Sequence, residues 1–121
     1  MAYVNTLTFN FLFNIANVMH AEIVKSERKD KRYKAIFISK DGDILSTKHF
    51  GSPSGRTYID HGDKSIRYAY LARHSKTPGE DWNKLFTAGA LSRYILWGTH
   101  KKIADNIDSY NRKLDKYYGH I

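Results

Sequence analysis

Residues 33–50, YKAIFISKDGDILSTKHF, decide the fold. Tyr33 to Ser39 reads as a strand, because alternate side chains of an extended chain fall on opposite faces. Lys40-Asp41-Gly42-Asp43 follows as a turn. Asp-Gly between two such runs predicts a two-residue hairpin loop with both loop residues at positive φ. Ile44 to Phe50 is the returning strand. With Asp41 and Gly42 as the loop, Ile38 lies opposite Leu45 and Ile36 opposite Thr47 on one face. Phe37 and Tyr33 then lie opposite Ser46 and Phe50 on the other. Both faces are partly apolar, which predicts cover on more than one side.

Upstream, Glu22 to Glu27 can add a third strand. Residues 1–18, MAYVNTLTFNFLFNIANV, carry no charge. Asn5, Asn10, Asn14 and Asn17 make them too polar, and their length too short, for a bilayer span of about 20 apolar residues. They also lack the basic start and small-residue cleavage pattern of a secretory signal. Leu7, Phe9, Phe11, Phe13 and Ile15 alternate as in a strand with one apolar face. Three readings stay open: a mis-called start preceding Met19, a strand packed in the core, or an apolar arm that docks on a partner.

Downstream, Gly51 to Thr57 (GSPSGRT) is a loop by its Gly, Pro and Ser content. Three helices follow in expectation. The first spans about Asp63 to His74, with Ile66, Tyr70 and Leu71 on one face and Arg67 and Arg73 flanking. The second spans about Thr87 to Trp97, with Thr87 as N-cap and Gly98 as terminator. The third spans Thr99 to about Tyr118. Its Ile103, Ile107, Tyr110, Leu114 and Tyr117 form a short apolar seam, read as a helix packed on its own core.

The expected fold is therefore α+β: a small antiparallel β-hairpin or three-stranded sheet followed by about three α-helices. The chain's 121 residues fit a single α+β domain over 19–121 beside the N-terminal arm. The absence of cysteine excludes a disulfide framework and Cys-based zinc sites. A net charge of +8 points to phosphate or an acidic surface as partner.

The basic run carries that charge most densely. Lys25, Arg28, Lys29, Lys31, Arg32 and Lys34 stand against Glu27 and Asp30. On a connector leading into the hairpin, these side chains can meet a phosphate backbone by releasing its counterions. Tyr33, Phe37, Phe50 and Tyr58 can supply stacking surfaces nearby. The alternative is a solvated basic turn. No named nucleic-acid module is signed by the sequence.

Catalytic patterns are weak. Gly55-Arg56-Thr57 sits where a P-loop would place Gly-Lys-Thr, but Phe50 occupies the first glycine position. Asp60-His61 and Asp63 resemble a base with an orienting carboxylate, which leaves a nuclease-like enzyme as a third reading. His49, His61 and His74 stand 12 and 13 residues apart, without the i, i+4 pair that starts a metal site. No cofactor or metal is expected.

The string of short motifs from residue 22 to 110 resembles a family of small uncharacterised proteins of large nucleocytoplasmic DNA viruses, the algal and amoebal giant viruses. The motifs are His49-Phe50-Gly51, Tyr58-Ile59-Asp60, Tyr70-Leu71-Ala72-Arg73-His74, Trp82-Asn83, Thr87-Ala88-Gly89, Leu91-Ser92-Arg93 and Leu96-Trp97. The resemblance implies a non-enzymatic structural or interaction protein, a minor capsid or other virion component. It would be found in the virion or in the cytoplasm or nucleus of an infected cell, not secreted, with other virion proteins as partners. The alternative is a sequence-nonspecific nucleic-acid-binding protein that uses the basic run. Arg73, His74, Arg93 and Trp97 are expected to form a polar–aromatic network locking the first helix to the second.

Overall fold

The structure, a computed structural model, describes residues 18–118. The expectations for the N-terminal arm lie outside the described residues, apart from Val18, which opens the first strand. Strands β1 (Val18–Lys25), β2 (Tyr33–Ser39) and β3 (Ile44–Phe50) form one antiparallel sheet in the order β1-β2-β3. Ala35, Phe37 and Ser39 are buried beneath the helices, while Lys34, Ile36 and Ile38 lie half-buried on the opposite face. Ala21 and Ile23 of β1 pair with Phe37 and Ala35 and join the same core.

The predicted pairing holds for Tyr33–Phe50, Ile36–Thr47 and Phe37–Ser46, but Ile38 faces Ile44 instead of Leu45. The loop is the cause. Gly42 N–H donates to the Ser39 carbonyl (3.0 Å) and Ser39 N–H to the Asp43 carbonyl (2.9 Å). Gly42 alone is left-handed, at φ 89°, so three residues turn the chain where two were expected. The Ser39 hydroxyl accepts the Asp41 and Asp43 N–H groups and holds this longer loop. A bulge at Leu45 then absorbs the extra residue and packs Leu45 against the core.

Four helices follow: α1 (Tyr58–His61), α2 (Lys64–His74), α3 (Ala88–Leu91) and α4 (Ile103–Tyr118). The single turn α1 lies just past the expected loop. Asp63 caps α2, its Oδ1 accepting the N–H groups of Ser65 (2.9 Å) and Ile66 (3.2 Å). Thr87 caps α3 as expected, its Oγ1 accepting from Ala90 N–H (3.1 Å). Beyond Leu91 the expected second helix widens into a π turn over Ser92–Leu96, closed by Trp97 N–H on the Ser92 carbonyl (2.9 Å). The third expected helix begins at Ile103, because Asn106 instead ties down the preceding bend through the Ile95 and His100 carbonyls.

Phe37, Phe50, Leu91, Ile95, Leu96, Tyr110 and Leu114 fill the core. The seam of α4 packs on this core through Tyr110 and Leu114, whereas Tyr117 stands 59% exposed. On α2 the expected face is rotated: Ile66 is 47% exposed and Arg67 is buried in its place. No helix among the described residues is long and apolar enough to cross a membrane.

Candidate nucleic-acid interface

The basic run forms the β1–β2 connector, closed by Ser26 N–H on the Arg32 carbonyl (3.1 Å). Half of its cations are paired. Arg28 meets Asp30 at 2.7 Å, Lys34 meets Glu27 at 3.1 Å, and Arg32 meets Asp60 at 2.7 Å. Lys25, Lys29 and Lys31 form no salt bridge among the described residues, although the charge of Lys31 acts on Asp30. Glu27 and Asp30 belong to the run itself, and Asp60 is the one carboxylate brought to it from another element.

Arg32 and Asp60 form a structural clamp. Two parallel N–H···O bonds of 2.8 and 2.7 Å join them, and Asp60 Oδ2 also accepts the N–H and O–H of Thr57. The Arg32 guanidinium, and then the Thr57 donors, hold the Asp60 carboxyl far below the usual carboxylate range against an opposing contribution from burial. Gly51 completes the clamp. Its carbonyl accepts from Arg32 N–H, and a Cβ there would sit 2.9 Å from Leu96 and 3.2 Å from Arg32 at a backbone φ of 84°.

The other motif residues divide between core and surface. Phe50 and Tyr58 are buried. His49 accepts or donates a 2.7 Å bond with Ser26 on the outer sheet face. Trp97 stacks on Tyr70 with centroids 4.0 Å apart, and Tyr70 stacks on His74 at 4.1 Å. Arg73 is exposed and reaches this stack only through the effect of its charge on Tyr70. The expected network is thus corrected: Arg67 replaces Arg73. Its position one turn before the stacked Tyr70 points inward, where Nε donates to the carbonyls of Trp97 (3.1 Å) and Gly98 (3.0 Å). Arg93 donates to the same Trp97 carbonyl at 3.3 Å. His74 lies 3.3 Å from Glu80, and burial, aided by Glu80, raises the Tyr70 hydroxyl to about 12.

Two guanidinium groups therefore converge on one carbonyl, and neither has a carboxylate partner among the described residues. Burial, reinforced by Arg67, lowers the Arg93 pKa. Uncompensated buried cations are costly, and an anion placed beside them is stabilised. Arg93 opens onto a cavity of about 350 Å³ whose walls include Tyr94, Thr99, Ser109, Arg112 and Lys113 and no carboxylate. Arg93 and Lys113 lie against the Tyr94 ring at 5.1 and 4.9 Å. A second cavity of about 300 Å³, walled by Trp82, Tyr94, Lys113 and Tyr117 among others, adjoins through the shared Tyr94 and Lys113. The Nε–H groups of Arg93 and Trp82 are buried and have no protein acceptor.

Sequence reasoning names Arg93 and Trp82 but misses Tyr94, Arg112 and Lys113. The available signal is helical: residues 109, 112 and 113 flank the Tyr110–Leu114 seam and so border whatever packs on it.

The catalytic readings find little geometry. His61 Nδ1 accepts the Asp63 backbone N–H at 2.9 Å, and the Asp63 carboxylate is engaged as the cap of α2. Among the described residues no three His, Cys, Asp or Glu side chains are grouped to hold a metal. Gly55 to Thr57 is a connecting loop in which Thr57 is committed to Asp60.

Residues 21–74 match a family model described as a family of unknown function (DUF5754). That stretch takes in most of the sheet, α1 and α2, and with them the Arg32–Asp60 clamp and the Arg67, Tyr70 and His74 side of the stack. The two cavities around Tyr94 lie beyond it, except where Arg67 supports Arg93. No curated protein and no solved structure matches the chain.

Proposed function

We propose that this domain binds nucleic acid without catalysing a reaction on it, through the cavity between the π turn and α4. The observation that carries the reading is the meeting of Arg93, Arg112 and Lys113 around one cavity free of carboxylates. A phosphate supplies the negative charge such a site lacks. Among the described residues no element is arranged to read base edges in a groove, so sequence preference should be slight. The motif resemblance to proteins of large DNA viruses supports the virion, or the cytoplasm or nucleus of an infected cell, as the setting. There the chain would serve as a minor capsid or other virion component lying against nucleic acid.

Titration of random-sequence DNA at several salt concentrations tests the reading. The intact chain should bind with an affinity that falls steeply with salt. Arg112→Gln with Lys113→Gln should reduce the log–log slope by about 1.4 units on a single strand or about 1.8 on a duplex, the values for two lost phosphate contacts. Both residues lie outside the buried core, so the melting temperature should change little. Binding with no salt dependence, or an unchanged slope in the double variant, defeats the proposal.

A further inference from the structure

We infer that the nucleic acid taken by this site is single-stranded, with a phosphate in the Arg93 cavity and an unpaired base in the cavity beside it. The inference rests on the nucleic-acid reading above and names its ligand class. A duplex turns its bases inward and offers a protein surface mainly its phosphates and groove edges. The second cavity is built for something else. Trp82, Tyr94 and Tyr117 line it and no carboxylate does. Tyr117 stands 59% exposed at the end of α4 although the four preceding seam positions are wholly or partly covered by the core.

The shared wall is the second argument. Tyr94 and Lys113 belong to both cavities, so a phosphate held by Lys113 has the aromatic cavity as its immediate neighbour. One nucleotide joins a phosphate to a base through a single sugar, and the two compartments reproduce that adjacency. Arg93 lies over the Trp82 ring at 5.3 Å and Lys116 over the Tyr117 ring at 5.9 Å, so it is the 59% exposure of Tyr117 that makes its ring the platform on which a base can stack. Base stacking on aromatic side chains tolerates sequence, in keeping with the absence of groove-reading elements among the described residues.

Anisotropy titrations of the full chain with a labelled oligothymidylate and with a duplex of equal length test this. The single strand should bind at least about tenfold more tightly, and Trp emission should be quenched on binding. Tyr117→Ala should weaken single-strand binding by roughly 5- to 150-fold, the loss of one stacked base. Duplex binding and the salt slope should stay as they were, and Tyr117→Phe should keep the affinity. An exposed ring is removed, so an unchanged melting temperature verifies the fold. Equal affinity for duplex, or a Tyr117→Ala variant that binds the single strand like the parent, overturns the inference. Those two results leave the nucleic-acid reading standing if Arg112→Gln with Lys113→Gln still flattens the salt slope. Should that double variant have no effect either, both fail together.

Discussion

Asn111 of α4 grips the backbone of Ala21 in β1 with both ends of its amide. Ala21 N–H donates to Asn111 Oδ1 at 2.7 Å, and Asn111 Nδ2 donates to the Ala21 carbonyl at 3.1 Å. A strand at the border of a sheet exposes such groups in a row, open to pairing with another chain. Here a helix side chain satisfies them at the middle of the strand. The same clamp sets the rotation of α4, and the next two residues are Arg112 and Lys113. Sheet edge, helix orientation and the cationic cavity are thus joined through one side chain.

Asn111→Ala should accordingly cost about 1–3 kcal/mol, because it removes two bonds to the amide and carbonyl of Ala21, a residue only 2% exposed. Thermal or urea melts measure this. A melt equal to that of the parent would show that the clamp contributes nothing to docking of α4.

The hairpin allows a test of its own geometry. Gly42→Val should destabilise by on the order of 1 kcal/mol or more, since a β-branched residue resists a φ of 89°. A Cβ at Gly42 meets nothing within 4 Å, so the cost is conformational and not steric crowding. Asp41→Val should be nearly neutral, within about 0.5 kcal/mol. A two-residue loop with both positions at positive φ makes the opposite prediction for Asp41, and comparing the two melts separates the loops.

That loop shows where sequence legibility ended. The strand faces follow from alternation, and the pairing of Tyr33 with Phe50 follows from the loop length plus one compensating bulge. Asp-Gly is equally compatible with a two-residue loop and with a three-residue one whose glycine alone is left-handed, so local chemistry left the register open by one. Arg67 posed a different difficulty. Its place on the inner face depends on the Trp97 and Gly98 carbonyls 30 and 31 residues away, which no local period reports. The candidate site was half legible for the same reason. Arg93 and Trp82 stand out as motif residues, but the π turn shifts the helical phase after Leu91 and directs Arg93 toward α4.

Acid should expose the Arg32–Asp60 clamp. A carboxylate whose folded pKa is lowered contributes stability that is present above its ordinary value of 3.8. That contribution is lost as the pH falls through the folded value. Asp60→Asn should therefore cost about 1–2 kcal/mol at neutral pH, the range for losing a helix cap and an ion pair. Between pH 7 and 5 the difference from the parent should be flat. It should shrink as the pH drops below 3.8 toward 2, because the unfolded chain then takes up a proton on Asp60 that the clamped carboxylate of the folded chain still refuses. Melts across pH 2–7 give the curve, and a difference that stays constant down to pH 2 contradicts the assignment.

Charge substitutions in the connector and in the cavity should behave differently. Lys29 and Lys31 form no salt bridge among the described residues, so Lys29→Gln with Lys31→Gln should leave the fold intact. If the connector touches a single-stranded phosphate backbone, that pair should lower the salt slope by at most about 1.4 units. Adding Arg28→Gln and Arg32→Gln should flatten the slope little further, because both guanidinium groups already face carboxylates. What those two changes should do is destabilise. Arg32→Gln removes the bidentate bond to Asp60 and the bond to Thr57 that together hold α1 against the β1–β2 connector. The sequence alone predicts the reverse, a fourfold variant that keeps its stability and loses 3–4 units of slope. Paired melts and salt titrations of the double and fourfold variants decide between them. A fourfold variant as stable as the parent, with a slope 3–4 units flatter, would return the main binding role to the connector.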